Sequence, residues 1–137
     1  MKTDGVATGY DVLVAGGGPA GAAAAAAACL AGLRVALVDD SDEQRWKLGE
    51  SLPGAVLRSL RRLHIAGPEQ LLAPDERERC AANVSAWGSD RWTYQDALAN
   101  PEGGGWHVLR HRFDAALRRH AAQLGVEQLR GRVSGSS

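Results

Sequence analysis

The sequence predicts an α/β fold that opens on a strand–turn–helix–strand unit with parallel strands. Three observations carry the prediction. The short β-branched run "YDVLVAG" is bounded by glycine, as expected of a buried parallel strand. "PAGAAAAAAACLA" follows and strongly favours helix, with Pro19 at a first-turn position and Gly32 as the stop just beyond. "LRVALVDD" is a second short apolar strand, and the pieces fit the roughly thirty residues of one βαβ unit.

Composition sets the outer limits. The 137 residues suffice for one domain with a real core. Sixteen basic and sixteen acidic residues cancel, so bulk charge points to neither nucleic acid nor an anionic membrane. A hydrophobic content of 45% with 17 glycines favours a loop-rich α/β protein over a helical bundle. Val12 to Leu33 carries no charge and meets the crude length test for a membrane span. Gly16 to Pro19 interrupts that run and a second apolar run follows almost at once, so no span is expected. Met1 to Tyr10 has no apolar core of a secretory signal. Cys29 and Cys80 lack metal-like or redox-like spacing, so free thiols in a reducing cytoplasm are expected. His107 and His111 stand four apart without an H-E-x-x-H pattern, and no metal site is predicted.

The turn of the first unit reads Gly16-Gly17-Gly18-Pro19-Ala20-Gly21 and matches G-x-G-x-x-G. Gly16 permits a tight turn off the strand, Gly18 lets a pyrophosphate approach the backbone, and Gly21 lets the helix pack close on the sheet. The helix start then offers unpaired N–H groups and a positive dipole end to phosphates. Pro19 has no N–H to offer, a small loss at that position. Asp39 ends the next strand, 18 residues past Gly21. Its carboxylate can accept hydrogen bonds from the hydroxyls of an adenosine ribose and would repel a 2′-phosphate, which disfavours NADP. Asp39 as a mere turn residue is the simpler alternative. A Rossmann-like grip on a dinucleotide is the reading, with Gly16, Gly18, Pro19, Ala20, Gly21 and Asp39 as its residues.

Beyond Asp40 the chain turns polar, as a loop or short helix to Gly49. "ESLPGAVLRSLRRLHIAG" puts Leu52, Val56, Leu60 and Leu63 on one helical stripe, with Arg58, Arg61 and Arg62 opposite. Ser51 could cap that helix. "PEQLLAPDERERC" reads as a short helix and a charged connector. From Ala82 to Leu109 weak alternation predicts strands joined by a long turn. "HRFDAALRRHAAQLG" is a helix with Phe113, Ala116, Leu117, Ala121 and Leu124 inward, Asp114 near its positive end and Gly125 as its stop. "VEQLRGRV" is expected as a third parallel strand, and "SGSS" as a frayed tail.

"GGGPAG", "KLGESLPGAVLRSLRRLHI" and "SAWGSD…GGGWHVLRHRFDAALRRHAAQLGV" together resemble the N-terminal part of FAD-dependent oxidoreductases related to the tryptophan halogenases. The resemblance runs from Asp11 to Val133 and includes the branch of flavoproteins that mature quinone-cofactor amino-acid oxidases. It implies an incomplete glutathione-reductase-type FAD domain plus the start of a substrate domain. It implies FAD rather than NAD at the grip, and a "GES-P" turn passing near the flavin ring, which makes Gly49, Glu50 and Ser51 candidate contacts. Arg110 falls on the family's R-x-x-(L/F)-x-x-x-L element with Phe113 and Leu117, where an arginine approaches the cofactor; otherwise it is an exposed residue before a helix. Arg45 is a weaker candidate of the same sort. No residue draws an acid or base assignment.

The implied organisation is a flexible start (1–9), the dinucleotide βαβ unit (10–49), a flavin-proximal helix with a partial substrate segment (50–109), a helix and returning strand (110–133), and a tail (134–137). Two departures from the family stand out. Lys2 and Lys47 are the only lysines, whereas halogenases of this group use one placed well after the "GE" turn, so halogenation is not expected. The family also continues for several hundred residues, so the expectation is a truncated, monooxygenase-like FAD-binding portion. A protein partner would supply the missing half or serve as substrate. Rival readings are a non-catalytic nucleotide-binding remnant, one half of a split flavoprotein, and an NAD-dependent dehydrogenase.

Overall fold

A computed structural model describes residues 9–40, 46–96 and 99–134. The chain divides into two compact units, Met1–Ser41 with Leu117–Ser137, and Asp42–Ala116.

In the first unit, β1 (Val12–Ala15) leads into α1 (Pro19–Leu30) and then β2 (Val35–Asp39). The last turns of α4 (Arg110–Leu124) precede β8 (Glu127–Arg130). The sheet is parallel in the order β1-β2-β8, with Val14 beside Leu37 and Val38 beside Leu129. Central β2 buries Val35, Ala36 and Leu37, a contribution of roughly 1.5–3 kcal/mol for each of the two larger side chains. α1 forms because alanine leads every propensity scale. It ends where the amides of Gly32 and Leu33 bond back to the carbonyls of Cys29 (2.9 Å) and Ala28 (3.2 Å), the two bonds of a Schellman stop. Ala22, Ala25 and Ala26 face inward at 1%, 0% and 2% exposure, so at these positions the helix contributes only methyl groups. Cys29 is half-buried, and its thiol donates to the Leu124 carbonyl at 3.0 Å.

The second unit holds β3 (Glu50–Leu52), α2 (Val56–Arg62), α3 (Pro68–Leu71), a 3₁₀ turn (Pro74–Glu76), β4 (Arg77–Cys80), β5 (Ala82–Ser85), β6 (Thr93–Asp96), β7 (Gly105–Val108) and the first turns of α4. β3, β7 and β4 make an antiparallel sheet in that order, and β5 pairs with β6.

Two sequence expectations are corrected here. Glu50 to Leu52 is a strand rather than the first turn of a helix: Pro53 disfavours helical backbone at Leu52, and β7 supplies the pairing that extends Glu50 and Ser51. Its pairing partners are Val108, His107 and Trp106. The helix starts only at Val56, behind Ala55 with no side-chain cap, so Ser51 caps nothing. Leu60 and Leu63 are buried as expected, but Leu52 lies off the helical stripe. Arg77–Cys80, read as a connector, is instead a strand on the other edge of β7, with Arg79 opposite Trp106 and its guanidinium 3.9 Å from the indole centroid.

α2 closes on His64, whose φ of 61° is left-handed. An L side chain there costs about 1 kcal/mol relative to glycine. His64→Gly should raise the urea midpoint by the equivalent of about 0.5 kcal/mol, less than the full strain because glycine gains unfolded-state entropy. Among the described residues no helix is long and apolar enough to cross a membrane.

Candidate functional site

The first unit gathers six of the residues singled out in the sequence. β1 ends at Ala15, and the Gly16 amide donates to the Val38 carbonyl at 2.8 Å, joining turn to central strand. Gly16 has φ +97°, a conformation in which a Cβ would be strained. Gly18 is extended and precedes Pro19, the first residue of α1, with no side chain capping the helix. The Gly18 carbonyl takes the Ala22 amide at 2.9 Å. The amides of Ala20 and Gly21 therefore sit in the first turn, where a helix provides no acceptor and the dipole is positive. A Cβ on Gly18 would meet nothing within 4 Å, so the approach to the backbone is open. A Cβ on Gly21 would strike the Gly16 carbonyl. Asp39 closes β2 beside this turn.

Sequence reasoning missed two members of the cluster. Gly17 occupies a position the motif leaves open, yet a Cβ there would overlap Asp39 Oδ2 and come within 2.7 Å of Arg118 Cδ. Arg118, on α4, is 7% exposed. Its Nη1 donates to the Gly17 carbonyl at 2.8 Å and lies 3.4 Å from Asp39 Oδ2. The available signal was a charged residue on the inward stripe of an amphipathic helix, four after Asp114 and three before Ala121.

The second unit carries the other candidates. Gly49 precedes β3 at a point where a Cβ would sit 3.3 Å from the Val108 carbonyl. Glu50 accepts from Arg110 Nη1 at 2.7 Å, and Arg110 Nε donates to Asp114 Oδ1 at 2.8 Å. Lys47 Nζ donates to the other oxygen of Asp114 at 2.8 Å. The side chain of Asp114 is 1% exposed, so it is the buried centre of a four-residue charge chain rather than a simple partner of the helix dipole. Arg110 is likewise no free residue ahead of a helix. The Asp114 hydrogen bond raises its pKa above the ordinary arginine value, against partial burial, and the Asp114 and Glu50 charges add to the rise. Ser51 and His107 Nδ1 lie 2.9 Å apart on the exposed face of the sheet, with Glu78 in register on the far side of His107. A cleft of about 630 Å³ opens beside Ser51 to Gly54 and is also lined by Asn83, Tyr94 and Asn100. Arg45 lies outside the described residues.

Residues 11–71 match the family described as FAD dependent oxidoreductase. A flavin-dependent halogenase of Armillaria mellea, armH3, is 35% identical over 122 residues, covering 88% of this chain and 24% of its own length. Among solved structures, the myxobacterial chondrochloren halogenase CndH superposes with a TM-score of 0.76 at 25% identity, over 88% of this chain and 28% of that one. QhpG, a peptidyl tryptophan dihydroxylase essential for tryptophylquinone cofactor biogenesis, does so with a TM-score of 0.65 at 28% identity, over 90% and 25%.

The fold and the match over residues 11–71 are those of the FAD-binding region of FAD-dependent oxidoreductases. The chain is similar to flavin-dependent halogenases, among them a tryptophan 2-halogenase of Chondromyces crocatus. It spans 24% of the length of the Armillaria mellea halogenase.

Proposed function

We propose that this chain is the FAD-binding portion of a flavin-dependent, monooxygenase-like oxidoreductase. The observation that carries the reading is the uncapped start of α1 behind an open, extended Gly18, with the Asp39 carboxylate against the same turn. The amides of Gly18, Ala20 and Gly21 would hold the phosphates. Gly16 shapes the turn, Pro19 begins the helix without removing a useful donor, and Asp39 would accept the ribose hydroxyls. Gly49, Glu50, Ser51 and Arg110 would be the contacts to the flavin ring. FAD, when bound, supplies the redox chemistry; the protein binds it, orients it and excludes water.

The test is the visible spectrum of the purified chain after incubation with FAD and desalting. Retained flavin absorbance is the expected result, with affinity falling about tenfold in Asp39→Ala, as loss of a charge-assisted hydrogen bond requires. Absence of flavin after desalting would instead support a non-catalytic remnant or one half of a split flavoprotein. Retention of NAD after a parallel incubation, read in the ultraviolet, would support a dehydrogenase.

A further inference from the structure

The cluster of Gly17, Asp39 and Arg118 exceeds what a glycine turn needs. A buried ion pair adds little net stability over apolar residues of the same volume, and α4 could cover this spot with a methionine. What the pair adds is orientation. Arg118 Nη1 reaches both the Gly17 carbonyl (2.8 Å) and Asp39 Oδ2 (3.4 Å), so one rigid guanidinium fixes the acid relative to the turn. The side chains of Arg118 and Asp39 are only 8% and 15% exposed, which limits screening by salt.

We infer that Arg118 is a positioning residue for the nucleotide ribose: it sets the Asp39 carboxylate at a fixed place beside the glycine turn, and so selects an adenosine diphosphate moiety with free ribose hydroxyls. This rests on the dinucleotide reading of the turn. The arginine also changes how selection works. Its positive charge offsets the repulsion between Asp39 and a 2′-phosphate, so hydrogen bonding to the hydroxyls, more than charge, does the discriminating. Gly17 belongs to the same device, since any side chain there would displace both partners.

The experiment is calorimetric titration of the full 137-residue chain with ADP and with 2′-deoxy-ADP. The unaltered chain is expected to prefer ADP by about tenfold, the scale of one lost hydrogen bond to a charged group. Asp39→Asn should lose most of that preference. Arg118→Met should lose it as well, with ADP and 2′-deoxy-ADP then binding within about twofold of each other, a change in ratio that general loosening of the fold would not give. Arg118→Gln, polar but uncharged and two bonds too short to reach both partners, serves as the second variant and should show the same loss. An intact ADP preference in either folded variant overturns the role of Arg118 alone. Failure of the unaltered chain to bind ADP overturns the reading of the turn and this inference with it.

Discussion

Gly21→Ala should destabilise the protein by about 2 kcal/mol and abolish retention of FAD. Two effects compete. Alanine is the better helix former by about 1 kcal/mol, which alone would stabilise α1. Against it, the added Cβ would overlap the Gly16 carbonyl oxygen and sit 3.1 Å from its carbon, with Val14 Cγ1 at 3.4 Å. Gly16 is backbone, anchored to β2 through its amide, and cannot rotate away as a side chain would. Overpacking of that kind costs about 1–3 kcal/mol, and the upper end applies where the obstacle is main chain. Sterics therefore win, and relief comes only by lifting the first turn of α1, which moves the amides meant for the phosphates. Urea denaturation reads the stability and a desalted visible spectrum reads the flavin. A higher midpoint would show that the helix has room over the turn.

Asp114→Ala should cost about 3 kcal/mol. Removing one partner of a buried ion pair typically costs about 3–5 kcal/mol because the remaining charge is stranded. The lower end applies here, since Lys47 and Arg110 keep 33% and 29% side-chain exposure and can partly rehydrate. Arg110 also retains Glu50. Asp114→Asn should lose less, as its amide keeps one acceptor. Adding Lys47→Met to Asp114→Ala should cost little more than the single change, because the two residues share one interaction. Thermal unfolding at low and at roughly 0.5 M salt checks the mechanism: a buried pair is screened far less than an exposed one, so the loss should persist at high salt. A loss that vanishes with salt would place the pair at the surface.

Much of the first unit was legible in the sequence, because strand, helix and strand there each follow one local rule. β-Branched runs, an alanine tract and bounding glycines act over few residues. The second unit was harder. Glu50 to Leu52 looks helical by spacing, and its strand conformation depends on β7, more than fifty residues away. Arg77–Cys80 is charged and reads as a connector, yet its backbone completes a sheet while Arg79 covers Trp106. The tryptophans illustrate the same limit: Trp106 is buried and Trp87 is almost fully exposed. Which of them is covered is decided by distant chain.

The candidate site divides in the same way. The glycines at 16, 18 and 21 and Asp39 announce themselves by spacing. Gly17 and Arg118 do not, because what joins them is a tertiary contact between residues 101 apart in sequence. Asp114 was visible only as an acid near a helix start, whereas its partners Lys47 and Arg110 give it a different role.

The alanine face of α1 has one more consequence. With only methyl groups at its buried positions, the helix adds no swappable rotamers of its own to the gap between helix and strands. The helix acts as a shim of constant depth, and the height of its leading peptide groups stays the same while longer side chains elsewhere rearrange.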